Sequence, residues 1–93
     1  MIDQIEITKK AQKDLRKVPQ YILKNFQRWA LLIEDIGLVE TRKIKGFHDE
    51  PLTGDRAGQR SARLSKSYRV FYCEMPDKTI NIVSVLEVNK HDY

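Results

Sequence analysis

The segment TINIVSVLEV, residues 79–88, constrains the fold more than any other part of this chain. Ile80, Ile82, Ser84, Leu86 and Val88 alternate with Asn81, Val83, Val85, Glu87 and Asn89, and both sets are substantially apolar. A strand that is apolar on both faces belongs in the middle of a sheet, where neither face meets water. Its partners are close by. Residues 59–64 and 68–75 read as two further strands around a tight polar turn, and MPDK (75–78) reads as the turn into residues 78–88.

The N-terminal half supplies a layer to cover that sheet. In IDQIEI, Ile5 and Ile7 share a face, as in a short strand. Thr8 stands where a helix N-cap should be, and Ala11, Leu15 and Val18 then make one narrow apolar stripe. Pro19 ends that helix or opens the next. In QYILKNFQRWALLIEDIG, Ile22, Phe26, Trp29, Ala30, Ile33 and Ile36 line one face, and Gly37 is a natural stop. Residues 38–59, with three glycines and one proline, read as irregular apart from a short turn. The expected order is β-α-α-β-β-β. That is an α+β fold, with an N-terminal helical hairpin packed on one face of a mostly antiparallel four-stranded sheet. The other face is left without a helix.

Ninety-three residues, 41% of them hydrophobic, suit a single small domain with a workable core rather than a disordered chain. Cys73 is the only cysteine, so no internal disulfide forms, and the two histidines give it no metal-ligand spacing. The N-terminus has no basic-then-apolar signal pattern, and no apolar run approaches membrane-spanning length. The expectation is a reduced, cytoplasmic protein that needs neither metal nor cofactor and does not enter a membrane.

Net charge is only +4, but its placement is uneven. Between Gly54 and Val70 lie Arg56, Arg60, Arg63, Lys66 and Arg69 against a single acid, Asp55. The remaining twelve cations and twelve acids balance, so the whole excess falls in that stretch. Such a patch attracts polyanions, nucleic acid first. Strand parity sharpens this. Packing Leu64 and Val70 against the helices puts Arg63 and Arg69 together on the open face, with Phe71 beside Arg69. Arg60 has the other parity and belongs at the strand's start, while Lys66 falls in the turn. Two arginines on neighbouring strands without a local acid repel, and a bound phosphate would resolve the repulsion. Phe71 is placed to stack on an RNA base.

The motifs Leu52-x-Gly54, G-x-R-S-x-R-L (58–64), SYRVFY (67–72) and the tail NKHDY (89–93) resemble the RelE/ParE superfamily of bacterial toxins. The likeness is strongest to RelE- and HigB-like mRNA interferases of type II toxin–antitoxin systems, and it covers the chain as one RelE-like domain, residues 1–93. It implies a ribosome-associated endoribonuclease in which the RNA's 2′-hydroxyl attacks the adjacent phosphate, with no metal. By the same resemblance Arg63 and Arg69 hold the scissile phosphate, His91 is the candidate general acid and Tyr93 stacks or transfers a proton. Arg56, Arg60, Lys66, Lys90 and Phe71 would contact RNA. The general base is open between Glu50 and Glu87. The implied partners are a cognate antitoxin, mRNA and the 70S ribosome with its rRNA. Two alternatives share the fold: a ParE-like inhibitor of DNA gyrase, and a non-catalytic RNA- or protein-binding module.

Overall fold

The alternating N-terminal residues form β1 (Ile2–Ile7), and Thr8 caps α1 (Lys9–Lys17) by accepting the Ala11 N–H at 3.2 Å. The structure, a computed structural model, describes residues 2–90. His91 and Tyr93 lie outside the described residues. After Pro19 comes α2 (Gln20–Ile36), then a short α3 (Leu38–Arg42), β2 (Glu50–Pro51), β3 (Arg60–Arg63), β4 (Tyr68–Asp77) and β5 (Ile80–Lys90). The segment read as irregular thus holds more order than its composition suggests. Besides α3 and β2 it contains 3-10 turns at Lys45–Phe47 and Gly54–Arg56.

The sheet has five strands rather than four, in the order β1-β5-β4-β3-β2. The extra strand is β2, whose two residues pair Glu50 with Ser61 and Pro51 with Arg60. β5 lies between parallel β1 and antiparallel β4, which is the interior position its apolar faces require. The turn into β5 falls later than its proline suggests, at Lys78–Thr79, with Lys78 at φ 59°. Pro76 sits inside β4 opposite Asn81. It is tolerated because β3 ends its pairing at Tyr72, leaving the far end of β4 with a free edge.

Ile22, Phe26, Trp29 and Ile33 of α2 pack on Ala62, Val70, Tyr72, Val83, Val85 and Val88. Trp29 is fully buried and its ring centroid lies 5.4 Å from that of Tyr72. Emptying such a position costs about 3–5 kcal/mol, so Trp29 is a core residue. Ile36, expected on the same face, instead reaches solvent. Gly37 ends α2 at φ 91°, where a Cβ would also come within 3.3 Å of Asp3 Oδ2, the atom that accepts the Leu38 N–H.

One irregularity decides which β5 side chains reach the face away from the helices. Phe71 pairs with Glu87 but Tyr72 pairs with Val85, so Leu86 is an extra residue, a β-bulge. The bulge reverses the alternation, bringing Val88 to the helix side and Glu87 and Asn89 to the other. It falls where β5 exchanges β1 for α1 as its neighbour. Thr8 Oγ1 donates to the Leu86 carbonyl at 3.1 Å, and Asp14 Oδ2 accepts the Val88 N–H at 3.0 Å.

Candidate RNA-binding site

The sheet face away from the helices carries two rows of cross-strand neighbours. One is Arg63, Arg69 and Asn89; the other is Glu50, Ser61, Phe71 and Glu87. Arg63 and Arg69 are therefore directly opposite each other, as strand parity requires. Like charges in that relation destabilise a sheet. Arg69 is nearly buried, and its Nη1 donates to Glu50 Oε1 at 2.7 Å and to Ser61 Oγ at 2.9 Å. The Nε atoms of both arginines are buried with no hydrogen-bond partner among the described residues.

Three of the five cations in the basic stretch have acids drawn from outside it. Glu50, 19 residues upstream, neutralises Arg69. Glu87 is nearly buried, bonded to Arg56 and within 3.5 Å of Lys10 Nζ. Arg56 crosses the face from the Gly54–Arg56 turn, its guanidinium carbon 4.4 Å from the Phe71 ring centroid. The face without a helix is thus partly covered by a loop. Arg63 and Lys66 keep no acidic partner among the described residues.

Arg60 belongs elsewhere. It begins β3 on the helix side, where its Nε donates to Asp49 Oδ1 at 2.7 Å and Tyr72 Oη donates to Asp49 Oδ2 at 2.5 Å. Burial first, then the hydrogen bond to Asp49 and its charge, pushes the Tyr72 hydroxyl far above its usual range, so it stays a donor. Lys66 lies in the β3–β4 turn and Lys90 stands opposite Tyr68 at the end of β5. The structure therefore assembles Arg56, Arg63, Arg69 and Phe71 on one face and leaves Arg60 behind it.

The two acids left open as bases are now distinguishable. Glu87 is enclosed by Lys10 and Arg56, with Asn89 Nδ2 donating to Oε2 at 2.9 Å. The Glu50 side chain is 45% exposed, and among the described residues Arg69 is its only ion-pair partner. The Arg69 hydrogen bond holds its carboxyl below the ordinary value of 4.5 against the opposing effect of burial, helped by the charges of Arg69, His48 and Arg63. Glu50 is thus an ionised, accessible proton acceptor beside the arginine pair. Asp49 and Glu50 are neighbours on an extended chain, so they face opposite ways and each meets one arginine. Among the described residues no group of His, Cys, Asp and Glu could hold a metal ion. No helix there is long and apolar enough to cross a membrane.

The same architecture occurs in solved proteins. A chain of the toxin–antitoxin complex RelBE2 from Mycobacterium tuberculosis is 26% identical, with TM-score 0.67 over 95% of this chain and 96% of that one. YafQ from Escherichia coli BL21(DE3) shares the fold with TM-score 0.75 at 16% identity, over 96% of this chain and 93% of that one. A chain of the archaeal RelE–RelB complex from Pyrococcus horikoshii OT3 has TM-score 0.69 at 22% identity, covering 97% and 96%. No curated protein matches the chain significantly. Residues 5–92 match the family described as the ParE toxin of type II toxin–antitoxin systems, parDE. With nearly its whole length inside that match, and its fold that of RelE and YafQ, the chain belongs to the ParE toxin family of type II toxin–antitoxin systems.

Proposed function

We propose that this toxin is a ribosome-associated endoribonuclease that cleaves mRNA without a metal ion. The observation that carries the reading is the Arg63–Arg69 pair, two opposed like charges whose buried Nε atoms both lack an acceptor among the described residues. A buried donor left unpaired costs about 1–3 kcal/mol. A phosphodiester between the guanidiniums relieves the repulsion and offers acceptor oxygens to both.

In this reading Glu50 removes the proton of the 2′-hydroxyl, and O2′ attacks the adjacent phosphorus. The P–O5′ bond breaks as a 2′,3′-cyclic phosphate forms, and the leaving 5′-oxygen takes a proton from His91. Arg69 exchanges Glu50 for the phosphate, which frees the carboxylate to act as base. Arg63 and Arg69 then stabilise the charge on the pentacoordinate transition state. Arg56, Phe71, Lys66, Lys90 and Tyr93 serve RNA binding, whereas Arg60 serves the fold. The protein partner is a cognate antitoxin, as in the RelBE2 and RelE–RelB complexes.

The test is primer extension on an mRNA translated in a purified system, with and without ribosomes, comparing wild type with His91→Ala. Discrete cuts that need ribosomes and weaken with His91→Ala support the reading. An absence of cuts by folded protein overturns it. The second reading is a ParE-like inhibitor of DNA gyrase that cleaves nothing. The family match over residues 5–92 favours it, and an assay of gyrase supercoiling decides.

A further inference from the structure

A cleft of about 480 Å³ opens between α2, the Lys45–Phe47 turn and the β3–β4 turn. We propose that it is a nucleobase subsite, holding the base of a nucleotide whose phosphate is bound by Arg63. The proposal rests on the RNA-cutting reading for its substrate, but the chemistry of the cleft stands separately. Its size suits one small planar ligand. Leu32 and Phe47 give it apolar walls, while Arg28, Arg63 and Lys66 supply three cations, and among the described residues no carboxylate lines it. An apolar slot with a purely cationic rim fits a ligand that joins a flat apolar body to an anion, which describes a nucleotide.

Two details tie the cleft to the site. Arg63 belongs to both, since it lines the cleft and is the cross-strand partner of Arg69. Asn25 also lines the cleft, and its Nδ2 donates to the Leu64 carbonyl at 2.8 Å. That bond fixes the amide and leaves its carbonyl oxygen as an acceptor for an N–H on a base edge. β2 pairs only with Arg60 and Ser61, so the strand ladder ends before Arg63 and the Lys45–Phe47 turn takes its place as the cleft's wall.

The test is an NMR titration of the full chain with AMP, and separately with ribose 5-phosphate and inorganic phosphate. AMP is expected to give saturable shifts at the amides of Asn25, Leu32 and Phe47, and to bind about tenfold tighter than ribose 5-phosphate. Equal affinities, or AMP shifts confined to β3 and β4, overturn the proposal. So does a silent response to AMP alongside saturable shifts at those amides from an acidic, leucine-containing peptide. Gly46 provides the plug: it lines the cleft, a Cβ there meets nothing within 4 Å, and its φ is not left-handed. Folded Gly46→Leu should bind AMP no better than ribose 5-phosphate; undiminished AMP affinity overturns the proposal. Should Gly46→Leu not fold, exposed Arg28→Ala takes its place, and its AMP affinity must fall. None of these readouts involves cleavage, so failure of the subsite and failure of the ribonuclease reading register separately.

Discussion

Two arginine–carboxylate pairs lie back to back across the thickness of the sheet, built from adjacent acids. On the helix side, the Asp49 side chain is 2% exposed and Arg60 is 26% exposed. On the other, the exposures are inverted: Glu50 is 45% exposed and Arg69 9%. Asp49 uses both oxygens, one for Arg60 and one for Tyr72. Among the described residues Glu50 bonds only Arg69, whose buried Nε has no partner there. The same two functional groups thus make a closed structural joint on one side and an open, exchangeable contact on the other. What separates them is which partner is buried. A buried acid with all its acceptors used has nothing to exchange, whereas an exposed acid on a buried cation can be replaced by another anion.

The strongest way to break this comparison is Arg69→Ala. RNA cleavage should fall about 1,000-fold, the scale for removing a charge-stabilising donor at a reacting centre. The far-UV circular dichroism should be unchanged. Wild-type cleavage by Arg69→Ala would place the chemistry elsewhere. Next comes Asp49→Ala, which leaves Arg60 and the buried Tyr72 hydroxyl unpaired together. Urea denaturation should show about 3 kcal/mol lost. Tyr72→Phe, which removes one hydroxyl and leaves the ion pair, should lose about 1 kcal/mol. If Asp49→Ala and Glu50→Ala destabilise equally, the distinction between joint and exchangeable contact is wrong.

The parts of this arrangement that were legible in the sequence are those governed by local rules. Thr8 caps α1, and Ile22, Phe26, Trp29 and Ile33 are buried, because a cap and a helical stripe need only residues within a few turns. Arg63 and Arg69 share a face because a short turn joins their strands and fixes the register. The rest depends on partners distant in sequence. A two-residue strand has no alternation to detect, so β2 was invisible, and with it the supply of Asp49 and Glu50 to arginines 11 and 19 residues away. The Leu86 bulge defeats parity within a single strand, which moved Glu87 to the basic face and gave Arg56 its acid. A charge window counts residues along the chain, and here the neutralising acids come from across the sheet.

The smallest change that tests the comparison is Glu50→Gln, which keeps the shape and removes the charge. Because the pair is exposed on its acidic side, folding stability should change by less than about 1 kcal/mol. Cleavage should nevertheless fall about 100-fold if the carboxylate is the base. The pH dependence separates the two roles. The folded-state pKa of Glu50 lies below 4.5. Its small contribution to stability is therefore complete above that value and lost as pH falls through the lower, folded-state value. Measured at subsaturating RNA, where the rate reports the free protein, the same titration appears as a rate that rises with pH through that acidic range. Glu50→Gln should lack the rise while keeping any descending limb at higher pH. An acidic limb that survives in Glu50→Gln would assign the base to another group, and would leave Glu50 as no more than the anion that occupies Arg69 until RNA arrives.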